Sequence, residues 1–362
     1  MSEYPARLAA AQQRMREEDV DAMCLSIGSD LPYLTGYKAM ALERLTMLVL
    51  PATGEGTLVV PGLEAPRVAY DTLPLSVVGW NETDDPIAIT NDLLAGARSV
   101  MIGDETWSRF LLDLQHANKE RNFSMASDLM AQLRTIKSSD EIESLRRAAG
   151  TVDGVVDQLA AIQFSGRTET DIAREATERT RADGHETMDF WIVASGPNGA
   201  SPHHEPGERV IEHGDAVVVD FGGHENGYAS DTTRMFVVGE APYGFDEAFD
   251  VLYRAQVAAV ESVRPGVTAE SVDAVARAII TEAGYGDLFI HRTGHGIGMD
   301  SHEHPYLVEG NTQILEEGMA FSIEPGIYNP GEWGMRIEDI VTVTSDGVER
   351  LNRTDRHYRV VV

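Results

Sequence analysis

Two stretches of the chain repeat one another, and the repetition limits what it can fold into. GRTETDIAREATERTRADG (166–184) and GVTAESVDAVARAIITEAG (266–284) both begin Gly-x-Thr, continue at amphipathic helical spacing and end in Gly, at a constant offset of 100. Further on, GDAVVVDFG (214–222) matches GMAFSIEPG (318–326) at offset 104. Each is an apolar run that closes on a carboxylate and then reaches a Gly. Two matches in the same order at similar offsets predict a domain of two related halves, each a helix followed by a hairpin, enclosing a site between them.

The carboxylates at the ends of these runs carry the chemistry. In VVVDFGGHENGYASDTTRMFVV (217–238), Asn226-Gly227 is a tight-turn signal between two β-rich runs. Folded there, Asp220 and Asp231 lie across from each other on or near one face. FSIEPGIYNPGEWGMRIEDIVTV (321–343) turns around 329–334 and sets Glu324 against Glu338. Like charges opposed on a sheet are destabilising, and partly buried carboxylates call for a partner. A divalent cation is the economical one. Four carboxylates with one imidazole suit two cations, and hard oxygen ligands favour Mn2+ or Fe2+, with Co2+ and Zn2+ compatible.

Four of the eleven histidines lie in HRTGHGIGMDSHEH (291–304). His291 and His295 have the i, i+4 spacing of a helical zinc site, but Gly294, Gly296 and Gly298 make a helix there improbable. Alternating glycines suit an extended strand passing close to another backbone and presenting His295 to the carboxylates. The loop SGPNGASPHHEPGERV (195–210) carries His203 and His204 straight into the first carboxylate strand. His291 is expected to line a pocket, to support His295, or simply to pack. His204 and His304 are expected to be neighbours of functional residues. Trp191 and Tyr228 can wall a pocket, with core packing the simpler expectation. Glu169 and Asp171 are expected on a solvated helix face.

The first part of the chain alternates β-rich runs (22–28, 46–62, 76–80, 99–105) with helical ones (3–19, 86–97, 106–117), which predicts a separate α/β domain. At 362 residues, two domains are expected. The boundary is placed near 125–140, with domains 1–130 and 140–362. After it, Ser138, Ser139 or Asp140 is expected to cap a helix over 141–163, with Glu143 closing a capping box. The net charge of −30 argues against nucleic acid and anionic membranes as partners. Lysine occurs only at 38, 119 and 137, and the acids are spread throughout, a surface suited to high salt. Cys24 is the one cysteine, and neither a membrane span nor a signal-peptide core is evident, so a cytoplasmic enzyme is expected.

Taken together, SGPN…PH, VVVDFG…SDTTR, HRTGHGIG…HEHP, SIEPGIY and GMRIED resemble the pita-bread metallopeptidases, and most closely the prolidase and Xaa-Pro aminopeptidase branch. The likeness runs nearly the whole length, and LRTIKSSDEIESLRRA (133–148) is similar to that branch's linker. The resemblance implies an α/β creatinase-like N-terminal domain and an α+β pita-bread catalytic domain with pseudo-two-fold symmetry. It implies metal ligands at Asp220, Asp231, His295, Glu324 and Glu338, holding two divalent ions ~3.5–4 Å apart, with Asp231 and Glu338 bridging. It further implies catalytic roles for His203, His302, Glu324 and Arg336, and a homodimer. Arg336, two residues before Glu338, is expected to orient that carboxylate. The implied reaction is hydrolysis of Xaa-Pro bonds in small peptides by a metal-bridging hydroxide, with Glu324 relaying its proton and His203 and His302 on the oxyanion. Two alternatives stand beside it: a hydrolase opening a C–N bond of a compatible solute such as ectoine, and a binding homologue without catalysis.

Overall fold

Gly166 and Gly266 both have positive φ, +80° and +90°, a conformation glycine adopts without strain. Each turns the chain into the N-terminus of a 14-residue helix, Glu169–Ala182 in one case and Ala269–Glu282 in the other. The buried positions of the two helices coincide under the offset: Ile172 with Val272, Ala173 with Asp273, Ala176 with Ala276, Thr180 with Ile280. The strap that crosses each helix start repeats as well. Gly166 N–H donates to Ile211 O and Gly266 N–H to Leu315 O, while Thr168 bridges Val210 and Thr268 bridges Ile314. The internal repeat is therefore a repeat of hydrogen bonds as well as of letters.

These features come from a computed structural model that describes residues 3–68 and 74–362. The chain divides into two compact units, after Arg134. The first unit is a six-stranded sheet in the order Leu75–Trp80, Gly56–Pro61, Met47–Pro51, Ala22–Leu25, Ser99–Ile102, Asn122–Met125. Helices Tyr4–Glu17, Pro86–Leu93 and Ser108–Ala117 stand where helical spacing predicts them. The six-residue helix Asp30–Thr35 carries too little periodic signal to be read from sequence, and strand Asn122–Met125 and helix Ser127–Thr135 fall where the domain boundary is placed. Cys24 is fully buried, and burial pushes its thiol up to about 12.

The second unit opens with helix Ser139–Leu159. Its capping box is Ser138 with Glu141, not a pair involving Glu143: Glu141 N–H donates to Ser138 Oγ and Ser138 N–H to the Glu141 carboxylate. Ser138 takes the cap because it is the last extended residue, so position three falls on Glu141. A five-stranded sheet contains Thr187–Ser195, Ala216–Glu225, Tyr228–Ala229, Thr232–Val238 and Arg359–Val361. A second runs Glu303–Leu307, Gly294–Gly296, Ala320–Ile323, Asp339–Val343, Val348–Arg350, and a two-stranded ribbon pairs Gly326–Asn329 with Trp333–Arg336.

Ala216–Glu225 is buried on both faces. Val217, Val219 and Phe221 pack with Val152, Val156, Leu159 and Ile172, while Ala216 and Val218 pack with Phe245, Leu252 and Phe321. Each such valine, leucine, isoleucine or phenylalanine contributes ~1.5–3 kcal/mol, enough to hold a carboxylate in the row at position 220. Among the described residues no helix is long and apolar enough to cross a membrane.

Candidate metal and active site

The register of the hairpins decides which carboxylates meet. Asn226 and Gly227 both have positive φ, as a two-residue hairpin turn requires, and they fix Asp220 opposite Thr233. Asp231 lies two residues along from Thr233, so it meets Asp220 diagonally on one face rather than directly across. In the second half Ile323 pairs Asp339 and Gly326 pairs Arg336, and the same register sets Glu324 directly opposite Glu338. Strand Gly294–Gly296 runs between Glu303–Leu307 and Ala320–Ile323 and brings His295 to the same place. No helix forms there. The glycines serve close approach: a Cβ on Gly294 would sit 1.9 Å from Ser322 O, and one on Gly296 2.2 Å from His304 O.

A cavity of about 1260 Å³ collects all eight candidates: His203, Asp220, Asp231, His295, His302, Glu324, Arg336 and Glu338. Oxygens of Asp220, Asp231 and Glu338 lie within 4.8 Å of one another, and so do ligand atoms of His295, Glu324 and Glu338. Glu338 belongs to both groups. Asp231, His295 and His302 form a third. His295 Nδ1 faces Gly296 O at 3.0 Å. Its proton belongs there, which leaves the Nε2 lone pair turned toward Glu324 at 3.2 Å and Asp231 at 3.6 Å. Burial, with His302 next, holds the imidazole neutral, down to about 3.

Asp220, Asp231 and Glu338 are at most 5% exposed, and each has one buried oxygen without a hydrogen-bond partner among the described residues. Burial pushes Asp231 and Glu338 well above the carboxylate range, and their acidic neighbours push them further. Burial likewise raises Glu324 to about 7, against the opposing pull of Arg336. Clustered buried carboxylates with unpaired oxygens and one neutral imidazole fit a site for divalent cations.

Arg336 reaches Glu338 through Thr233. It forms a tight ion pair with Asp220 and donates to Thr233 Oγ1 (3.1 Å), which in turn donates to Glu338 (2.7 Å). Two residues before Glu338 the chain leaves the ribbon strand, so Arg336 points across the first hairpin. Its third contact, Tyr328 Oη at 2.7 Å, links onward to His291 Nε2 at 2.8 Å. His291 therefore lines the cavity and supports Arg336 rather than His295.

His203 and His302 face solvent at the cavity, and neither ring has a protein hydrogen-bond partner among the described residues. The two rings are free to meet a substrate. Trp191 is 45% exposed and lines the cavity, which corrects the expectation of core packing. Tyr228 lies outside it and donates to Glu141. Glu169, expected on a solvated face, is fully buried. Asp171 is half-buried and caps its own helix. Tyr328, Thr233 and Glu169 were missed. For Tyr328 a signal existed, since it lies four residues beyond Glu324 in an extended segment and so on the same face.

Comparison with known proteins agrees with this geometry. Residues 143–345 match metallopeptidase family M24, and residues 7–136 match the creatinase/prolidase N-terminal domain. A probable dipeptidase PepE of Mycobacterium tuberculosis is 44% identical over 99% of this chain and 96% of its own. An Xaa-Pro dipeptidase of Lactobacillus helveticus is 34% identical over 97% of each. The crystal structure of a prolidase from Thermococcus sibiricus superposes with a TM-score of 0.94 at 36% identity, covering 99% of both chains. With its creatinase-like first domain and pita-bread second domain, this chain belongs to metallopeptidase family M24.

Proposed function

We propose that this chain hydrolyses Xaa-Pro peptide bonds, with catalysis in residues 140–362 and divalent cations held by Asp220, Asp231, His295, Glu324 and Glu338. One observation carries the reading: three buried carboxylates converge on one cavity, each with an oxygen that no group among the described residues satisfies. The relatives' names, dipeptidase and Xaa-Pro dipeptidase, favour peptides over a compatible solute and over a non-catalytic role. Bound there, divalent cations would bring the pKa of water toward neutrality and polarise the scissile carbonyl. Mn2+ is the first choice, with Co2+, Fe2+ and Zn2+ next.

The side chains have separate tasks. His203 and His302 donate to the carbonyl oxygen as it becomes an oxyanion. Glu324, which lines the cavity, takes the proton of the attacking water and passes it to the departing nitrogen. Arg336 holds Asp220 in place, and Thr233 holds Glu338. An X-Pro bond has no N–H, so an enzyme that grips the carbonyl and the chain end loses nothing there.

Arg292 supports a dipeptide rather than a longer chain. It lines the cavity with its guanidinium 4.5 Å from the Tyr306 ring centroid and makes no ion pair among the described residues. A cation so placed suits a free substrate carboxylate. We also propose a cytoplasmic homodimer adapted to high salt.

The test is metal-stripped protein reloaded with each cation in molar salt. It would be assayed on Xaa-Pro dipeptides, their amides, longer X-Pro peptides and ectoine. Cleavage of the dipeptides ahead of their amides is expected. No cleavage of any X-Pro substrate with any metal rejects the reading, and ectoine opening alone would replace it.

A further inference from the structure

His203 rides on an exposed loop, yet its proposed task needs it held to within a fraction of an ångström. Between strand Thr187–Ser195 and strand Ala216–Glu225 the chain makes one turn of 3-10 helix, Gly196–Ala200, and otherwise no regular structure up to residue 209. Something outside the loop must fix it. Glu169, the first residue of helix Glu169–Ala182, lies beneath it with no exposed surface. One carboxylate oxygen accepts from Ser195 N–H (2.8 Å), Ser195 Oγ (2.7 Å) and Asn198 Nδ2 (3.0 Å). The other accepts from His204 Nε2 (2.8 Å) and Gly207 N–H (3.2 Å). These five bonds hold both ends of the loop and the residue next to His203.

We propose that Glu169 is a positioning residue for the reaction: its buried carboxylate holds the 195–207 loop so that His203 faces the scissile carbonyl. This rests on the function proposed above. The other half of the repeat contains the same device. Asp273, 1% exposed and one turn further along the equivalent helix, accepts from Thr293 N–H (3.1 Å) and Thr293 Oγ1 (2.8 Å). It also pairs with Arg277, which donates to His291 O at 2.9 Å. Each half thus uses a buried helix carboxylate to fasten the backbone that bears a site histidine. In the first half the carboxylate needs no cation, because five donors already satisfy it; burial opposes its ionisation, and these bonds outweigh burial.

Glu169→Gln keeps the volume but sets an amide N–H2 against donors. In metal-reloaded full-length protein it should lower kcat on an Xaa-Pro dipeptide by about ten- to a hundredfold, the scale of a misplacement of about 1 Å. KM should stay within about threefold and bound metal should not change. The decisive readout is a double-mutant cycle. In a His203→Ala background the same change should cost less than about twofold, while in a His302→Ala background it should cost its full factor. An equal loss in all three backgrounds overturns the proposal, because that is what a general structural defect produces. Amide hydrogen exchange gives a readout independent of turnover. It should accelerate across 196–207 in Glu169→Gln, and more weakly in Asn198→Ala, with strand 216–225 unchanged; unaltered exchange in the loop of both variants overturns the proposal. If wild-type protein cleaves no X-Pro peptide, the functional reading fails, and exchange still decides whether Glu169 holds the loop.

Discussion

His291 Nδ1 faces Arg292 O at 2.7 Å and Nε2 faces Tyr328 Oη at 2.8 Å. A backbone carbonyl only accepts, so the ring proton is on Nδ1 and Nε2 accepts from the tyrosine. Burial, with Arg336 next, keeps this ring neutral, down to about 4. Tyr328 Oη in turn accepts from Arg336, which grips Asp220. One hydroxyl thus joins a histidine read from the sequence to an arginine read from the sequence. Tyr328→Phe leaves both partners unsatisfied, at about 1–3 kcal/mol. We expect kcat/KM to fall between about fivefold and a hundredfold, measured by steady-state kinetics with metal content held equal. Asp220 and Glu324 could be read from the sequence because each ends an apolar run, where a solvated acid is out of place. Glu169 could not: an acid in the first turn of a helix is favoured there by the dipole alone, and its five partners come from a loop 26 to 38 residues away.

At the scale of elements, the site depends on register. An Asn-Gly turn is a strong short-range signal, and it set the first hairpin to within the two-residue offset between Asp220 and Asp231. Which strand lies beside Gly294–Gly296 is a long-range matter, although the alternating glycines announced a close approach. Gly296→Ala tests that approach. Its Cβ would sit 2.2 Å from His304 O and 2.6 Å from Glu303 O, backbone atoms that must shift. Overpacking of this kind costs about 1–3 kcal/mol, and the shift displaces His295. Both a lower melting temperature and weaker metal retention are expected; unchanged values would remove the close-approach explanation. Asp339 shows a second dependence. It is fully buried with Arg234 and also meets Arg356 and Arg350, and Arg234 reaches back to the Glu338 carbonyl. Asp339→Asn leaves Arg234 buried without its counter-charge and should destabilise the protein by about 3–5 kcal/mol in denaturant titration.

Across the whole molecule, the internal repeat was the most informative feature of the sequence. It predicted a paired architecture, and the equivalent glycines, helix faces and strap hydrogen bonds follow its two offsets. The helix Ser127–Thr135 and strand Asn122–Met125 were not legible, because they fall in the stretch near 125–140 where the domain boundary is placed. A net charge of −30 also acts on the whole chain. Self-repulsion on that scale is screened by salt, with a Debye length of ~10 Å at 0.1 M and ~3 Å at 1 M. The melting temperature should rise steadily from low to molar KCl; a fall over that range would contradict salt adaptation.

The central claim is that the buried carboxylates are a cation site, and proton release on metal binding tests it most directly. Without a cation, Asp231 and Glu338 are held protonated well above the ordinary range, and Glu324 up to about 7. A cation binds their ionised forms, so binding must expel protons and must weaken as pH falls. Ordinary carboxylates, with pKa values of ~4, would release almost none at pH 6. The measurement is calorimetric titration of metal-stripped protein with Mn2+ at pH 6, in two buffers of different ionisation heat. The account predicts two ions per chain, proton release on binding, tighter binding at pH 7.5, and loss of the effect in Asp231→Ala and Glu338→Ala. Binding without proton release, or binding that survives both substitutions, would contradict it.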